Sequence, residues 1–245
     1  MPTRAKPPEG VVRPFPPFWV VIRRIVPRDN FKYVPTPSRM AMENITLYMW
    51  GSPNSRRVSI LFEELGLEFA VRYVDIRRNE QFAPEIAALN PFGKVPIATW
   101  TEGDDRQNLF ESGAILTYFA EQSGQFLPLG AVSRCQTLSW LMVALTALGP
   151  HSANAHHWSA LACEKSAAAL DHHVAVVARV YRLLDERLAD NRYLAGGYSI
   201  ADMAAYPWID VSEWTTLDIE DYPQLLRWHA EVGSRSAVRR GMAYP

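Results

Sequence analysis

Asn90-Pro-Phe-Gly-Lys-Val-Pro96, followed about fifteen residues on by Phe110-Glu-Ser-Gly-Ala-Ile115, is the pair of stretches that decides the fold. Gly93 supplies a turn, and Val95, Ile97 and Thr99 are strand formers. Pro96 has no backbone N–H, which suits the start or edge of a strand. A cis Val95–Pro96 bond would turn the Val95 N–H and C=O outward, free to pair with an extended peptide. Ser112 is a favourable N-cap, and Ala114, Ile115, Tyr118 and Phe119 follow at helical spacing. The free N–H groups of a helix start attract a carboxylate, and Glu111 can accept bonds from an ammonium group. Together the two stretches describe a receptor for a short peptide with an α-amino acid head.

This combination resembles the glutathione-binding half of the glutathione transferases. The resemblance implies an α/β thioredoxin-like N-terminal domain followed by an all-α helical C-terminal domain. It also implies that Val95 pairs with the cysteinyl backbone of glutathione while Glu111 and Ser112 hold its γ-glutamyl end.

Working outward, residues 45–50 read as a first strand, and the Gly51-Ser52-Pro53-Asn54 cluster as a turn. A helix follows, with Val58, Leu61, Phe62 and Leu65 inward, Glu63 and Glu64 outward, and Gly66 as its stop. Residues 69–74 read as a second strand and 81–88 as a short irregular helix. Residues 95–100 read as a third strand, polar residues 101–107 as a hairpin loop, and 108–110 as a further short strand. The helix at Ser112 closes a β-α-β-α-β-β-α order, the order of a thioredoxin-like fold.

The Ser52-Pro53-Asn54 turn sits where a strand ends and a helix begins, which in this fold faces the ligand's thiol. A free thiol has a pKa of ~8.5, and lowering it two units needs about 2.7 kcal/mol of preference for the thiolate. Hydrogen bonds to a charged group, each about 1.5–3 kcal/mol, can supply that. The Ser52 hydroxyl and the Asn54 amide are candidate donors; the alternative is that both merely shape the turn or cap the helix. Arg56 and Arg57 follow, either drawing an anionic peptide or lying solvated at a helix start, where cations are mildly unfavourable.

The turn carries neither tyrosine nor cysteine, which argues against a protein thiol forming a mixed disulfide. Its Ser-Pro-Asn sequence resembles the Nu class of glutathione transferases, bacterial glutathione-dependent disulfide-bond reductases that usually have threonine at the first position. By that resemblance Ser52 and Asn54 are the catalytic pair. Asn54, Gln81 (within Glu80-Gln-Phe-Ala-Pro-Glu85), Lys94, Val95, Glu111 and Ser112 would bind glutathione as co-substrate.

The whole chain sets bounds. At 245 residues, 48% hydrophobic and 21% charged, it has the composition of a globular protein. A net charge of −1 and a pI near 6.6 give no electrostatic reason to expect nucleic acid. Cys135 and Cys163 fit no disulfide or zinc spacing and suit a reducing, cytoplasmic setting. No apolar run approaches the ~20 residues a membrane span needs. Residues 1–42 differ from the rest: half of the 18 prolines lie there, and bases far outnumber acids. Proline at that density opposes helix and central strand, so a disordered tail is expected. A targeting segment, an interaction tail and a mis-assigned start compete, the last favoured because Met42 leads directly into a strand. Docking of residues 18–26 on the domain stays open.

Residues 43–124 are expected to form the glutathione-binding domain and residues 130–245 the helical one with an electrophile pocket. Leu138, Leu141, Met142, Leu145 and Leu148 form one apolar stripe, and Val174, Val177, Ala178, Tyr181, Leu184 and Leu188 another; both read as core. Ser199-Ile-Ala-Asp202 reads as a capping box with a folding role, and Pro207 as a kink or early end. Histidines cluster at 151, 156 and 157 and again at 172 and 173. Adjacent histidines on a helix diverge and no cysteine or carboxylate completes a set, so no metal is expected. The His156-His157-aromatic pattern resembles the Nu class, where it borders the electrophile pocket, and His172 stands where that class has an arginine implied to help hold glutathione.

The expected activity is reduction of small disulfides by bound glutathione in a homodimer. Conjugation of glutathione to an electrophile and a non-catalytic binding module are the alternatives.

Overall fold

Four strands in the order β2-β1-β3-β4 form the sheet against which the site is built. The structure, a computed structural model, describes residues 42–245. The readings of the tail therefore lie outside the described residues, apart from Met42, which opens β1 (Met42–Met49). β1 is parallel to β2 (Phe69–Tyr73) and antiparallel to β3 (Ile97–Glu102), which pairs antiparallel with β4 (Asp105–Phe110). Helices α1 (Pro53–Glu64), α2 (Pro84–Ala87) and α3 (Ser112–Ser123) complete the thioredoxin-like order. Two 3₁₀ turns, Ile76–Arg78 and Glu80–Phe82, precede α2, which makes the 81–88 region irregular as expected.

The hairpin differs from expectation. Residues 101–107 are not a loop: the strands pair up to Glu102 and Asp105, and only Gly103 and Asp104 turn. β4 is an edge strand with alternate residues exposed, so its polar composition follows from solvent on one side.

The helical half begins with α4 (Ala131–Val143), continues through a π turn at Ala144–Leu148 into α5 (Gly149–His156), and ends in a second π turn at His157–Leu161. Then come α6 (Ala167–Ala189), α7 (Ile200–Ile209), α8 (Pro223–Gly233) and α9 (Ser236–Ala243). Ser199 and Asp202 make the expected capping box, and α7 ends two residues after Pro207.

The first predicted stripe splits. Thr137, Leu141, Ala144 and Leu148 are buried, whereas Met142 is exposed and Leu145 half-buried. The π turn, with its wider ring, shifts the face that later residues present. On α6 the buried set is Val177, Val180, Tyr181, Leu184 and Leu188, so Val180 joins the core in place of Val174 and Ala178.

Glu63 and Glu64 are not simply solvent-facing. Arg235 grips Glu64 through two bonds of 2.6 and 2.8 Å, and Arg240 and Tyr244 reach Glu63 at 2.6 and 2.9 Å. The Ser59 hydroxyl donates to the Gly241 carbonyl at 2.7 Å. The end of the chain thus packs on α1 and fixes the helix that carries the Ser52–Asn54 turn.

Candidate functional site

A cleft of about 650 Å³ lies between the sheet-containing half and the helical half. Asn54 and Arg57 of α1, the Lys94–Pro96 turn, and Glu111 to Ala114 with Thr117 at the start of α3 line one side. Met142, Leu145, Gly149, Pro150, Ala153, Asn154 and Trp208 line the other. The misplaced stripe residues Met142 and Leu145 are therefore cleft wall.

The Val95–Pro96 peptide is cis. Asn90, almost fully buried, braces the turn before it: its side-chain nitrogen donates to the Lys94 carbonyl at 2.8 Å, and its oxygen accepts from Phe92 N–H at 3.0 Å. Gly93 has φ 65°, which favours glycine, and a Cβ there would also push aside the exposed Phe82 ring.

Ser112 is not the N-cap. It is the first residue of α3, and Glu111 holds the cap position with φ 68° and ψ 114°, without a side-chain capping bond. A positive φ is uncommon for glutamate and tends to occur at functional sites. Ser112 is buried, and its hydroxyl accepts from Arg57 Nη1 at 3.1 Å. Its own proton is thereby left to donate elsewhere. The next residue, Gly113, lets the halves close: a Cβ there would lie 2.4 Å from Leu145 Cδ1.

Arg57 is the residue that sequence reasoning left undecided. Only 2% exposed, it spends one nitrogen on Ser112, while Nε and Nη2 are buried without partners. Burial pulls its pKa down to about 9, opposed by the nearby Glu111 carboxylate, so it is still charged at neutral pH. Arg57 lines the cleft, and a buried guanidinium with two nitrogens lacking partners favours an anion beside it. The signal available in the sequence was a cation placed against the helix dipole.

Asn54 is exposed to the cleft, and its oxygen accepts from the Trp208 indole N–H at 3.2 Å. An indole nitrogen can only donate, so the Asn54 amide nitrogen must lie on the other side, leaving its two N–H groups unspent on Trp208. Ser52 is the N-cap of α1 but makes no side-chain capping bond; its hydroxyl lies 3.4 Å from that of Ser55. Neither residue is thus consumed in capping the helix.

Of the seven predicted residues, the cleft gathers Asn54, Lys94, Val95, Glu111 and Ser112, and its lining does not include Ser52 or Gln81. Gln81 lies in the second 3₁₀ turn, its side-chain oxygen buried without a partner. Histidines 156 and 157 also lie off the lining: His156 stacks on Trp214, with centroids 4.3 Å apart, and His157 meets Trp158 edge-on. His172 gathers with His151 and His173 between α5 and α6. Burial, followed by the neighbouring His173, His172 and Arg179, lowers the pKa of His151; burial, followed by His172, lowers that of His173.

A mixed four-stranded sheet, a cis-proline turn and a helical half closing over one cleft define a thioredoxin-like domain joined to a helical partner. Residues 51–122 match the glutathione S-transferase N-terminal domain family and residues 138–236 the C-terminal domain family, and the chain belongs to the glutathione S-transferase family. Disulfide-bond oxidoreductase YfcG of Escherichia coli is 33% identical over 202 residues, covering 81% of this chain and 94% of that protein. The crystal structure of a Burkholderia graminis glutathione transferase, with two glutathione molecules bound per subunit, is similar at TM-score 0.77 and 32% identity, covering 83% of this chain and 89% of that one. A Pseudomonas putida glutathione transferase, with one glutathione disulfide bound per subunit, is similar at TM-score 0.77 and 31% identity, covering 83% and 92%.

Proposed function

We propose that this chain is a glutathione-dependent reductase of small disulfides. The observation that carries the reading is the Asn54 amide, aimed by Trp208 at a cleft that also holds the Val95 backbone and the Arg57–Glu111–Ser112 cluster. The γ-glutamyl carboxylate of glutathione would take the vacant nitrogens of Arg57 and the Ser112 proton, and its ammonium the Glu111 carboxylate. The Val95 backbone would pair with the cysteinyl residue, bringing the thiol to the start of α1. Lys94 would face the glycyl carboxylate, and Gln81 would approach the glutathione backbone from its 3₁₀ turn.

The Asn54 amide and the first-turn N–H groups would stabilise the thiolate there. Ser52 would add a second donor by turning from Ser55, since a contact of 3.4 Å is weak. The bound thiolate attacks one sulfur of a disulfide RSSR, forming a mixed disulfide with glutathione and releasing one thiolate. A second glutathione thiolate attacks that mixed disulfide, yielding glutathione disulfide and the second thiol. Two glutathiones supply the two electrons, so no protein cysteine is needed. The similarity to structures holding two glutathiones, or glutathione disulfide, favours this over conjugation.

The deciding experiment measures glutathione-dependent reduction of hydroxyethyl disulfide beside conjugation to an activated aryl halide on one preparation. Strong reduction with weak conjugation is expected. The reverse would make the chain a conjugating transferase, and glutathione binding without either activity would make it a binding module. Ser112→Ala is expected to weaken glutathione binding, and Ser52→Ala mainly to lower turnover; equal turnover in wild type and Ser52→Ala removes Ser52 from the chemistry.

Trp208→Phe keeps an aromatic ring at this buried position, though a smaller one, and removes the indole N–H, which frees the Asn54 amide to flip. Loss of one orienting hydrogen bond, about 1 kcal/mol, should raise the pKa of bound glutathione by somewhat under one unit and slow reduction roughly fivefold at neutral pH. Thiolate absorbance of bound glutathione against pH checks this, and an unchanged titration would exclude an orienting role. A homodimer in a reducing, cytoplasmic compartment is the setting we propose. It rests on the family resemblance and on two free, exposed cysteines, and among the described residues no helix is long and apolar enough to cross a membrane.

A further inference from the structure

His151, His172 and His173 stand apart from the cleft. The first projects from α5 and the other two from the first turns of α6, and none is among the cleft-lining residues. Twenty-two residues separate His151 from His173, yet their Nδ1 atoms lie 2.9 Å apart. The His172 and His173 rings are 5.2 Å apart and nearly perpendicular, and the ring of His151 lies 5.9 and 5.0 Å from them. Adjacent histidines do diverge on a helix, but here both reach towards the same facing ring.

From each residue one ring nitrogen can be chosen so that all three lie within 4.8 Å of one another. A tetrahedral Zn²⁺ with metal–nitrogen bonds of about 2.0–2.1 Å needs its ligand nitrogens about 3.4 Å apart. The His151–His173 pair, hydrogen-bonded at 2.9 Å, would give up that shared proton and open slightly to ligate, and the exposed His172 has room to swing in. No carboxylate or thiol belongs to the group, so the donor set is three imidazoles on one face. Imidazole suits zinc, copper and nickel over magnesium or calcium, which take oxygen ligands. The nearby Arg179 opposes any cation and limits the affinity without removing the donors.

We infer that His151, His172 and His173 form a three-imidazole binding site for a divalent transition-metal ion, zinc first, with at least one coordination position left to solvent. The site bridges α5 and α6, and therefore ties the helix that walls the cleft to the long helix behind it.

The test titrates Zn²⁺ into the tag-free full chain against a chromophoric chelator, in a Cys135→Ser/Cys163→Ser background that removes thiol ligands. One ion per chain is expected. His151→Ala and the milder His172→Gln should each weaken binding by about tenfold or more, since even partners outside the coordination sphere are worth 10–100-fold. His157→Ala should not change it. Co²⁺ should give the strong visible absorption of a four-coordinate nitrogen site, lost in both variants, while thermal unfolding without metal shows that they remain folded. Absence of Zn²⁺ binding to the parent, or equal binding by parent and His172→Gln, overturns the proposal.

Discussion

Arg57→Ala should lower glutathione affinity about 30- to 100-fold, the largest ligand effect expected of any single side chain in the cleft. The side chain is buried, charged and only partly satisfied: one nitrogen is engaged by Ser112 and two have no partner. A carboxylate reaching those two would complete the hydrogen bonding of a guanidinium that has already lost its water. Hydrogen bonds to charged groups contribute about 1.5–3 kcal/mol, and each 1.4 kcal/mol is a factor of ten in affinity. Arg57→Lys should fall between, because an ammonium keeps the charge but lacks the planar fork that meets a carboxylate with two donors. Arg57→Met separates binding from packing, since it fills most of the same space without charge and spares the protein a buried cation.

Calorimetric titration with glutathione measures the loss, and a glutathione analogue lacking the γ-glutamyl α-carboxylate identifies its origin. Wild type should bind that analogue at least as weakly as Arg57→Ala binds glutathione, because the analogue also forgoes the Ser112 proton. If Arg57→Ala weakens the analogue as much as it weakens glutathione, the side chain does not touch that carboxylate.

The same residue shows where sequence reading stops. Gly93 and Pro96 are legible because each has a backbone task tied to its residue type: a left-handed turn and a strand start. Arg57 has no such signature. Arginine is rarely fully buried, and the sequence alone does not tell which of two adjacent arginines turns inward. The role of Ser112 was misjudged for a related reason. A serine before an apolar run suggests a cap, yet here Glu111 takes the cap position with a positive φ, and the serine hydroxyl answers Arg57 fifty-five residues away. Leu145 leaves the core because helical spacing presumes 3.6 residues per turn, which the π turn at Ala144–Leu148 breaks, whereas Met142, before that turn, sits beside the buried Leu141 on the flank that faces the cleft. The three-histidine group was hidden by chain separation, since only tertiary packing of α5 on α6 joins residue 151 to residues 172 and 173. Only the first half of the polar edge strand β4, residues 105–107, reads as loop from composition, because four of the strand's six residues are exposed to water.

Asp202→Ala should destabilise the fold by about 3–5 kcal/mol, the range for breaking a buried charged network. One carboxylate oxygen accepts from Leu194 N–H at 3.0 Å and Trp228 Nε1 at 2.8 Å, and the other from the Ser199 N–H and hydroxyl at 3.0 and 3.1 Å. All of these groups are buried, and alanine would leave four donors without an acceptor. Asp202→Asn should cost less, because its oxygen still serves Leu194 and Trp228 while its amide nitrogen opposes only the Ser199 N–H. Burial pushes the Asp202 pKa up to about 6, against the bonds from Leu194, Trp228 and Ser199 that lower it. An ordinary aspartate in the unfolded chain titrates near ~3.9, so between about pH 4 and 6 the folded state binds the extra proton. The stability from that proton is full below the unfolded value and is lost as pH rises through about 6. Wild type should therefore gain on Asp202→Asn by about 2 kcal/mol between pH 7 and pH 4. Urea unfolding of both proteins at several pH values measures the gap, and a gap that stays constant or closes on acidification would contradict the raised pKa. The consequence reaches the cleft, because the helix this box starts is the one that carries Trp208 to Asn54. Asp202→Ala should thus lose glutathione-dependent turnover at a lower temperature than wild type, in step with its unfolding.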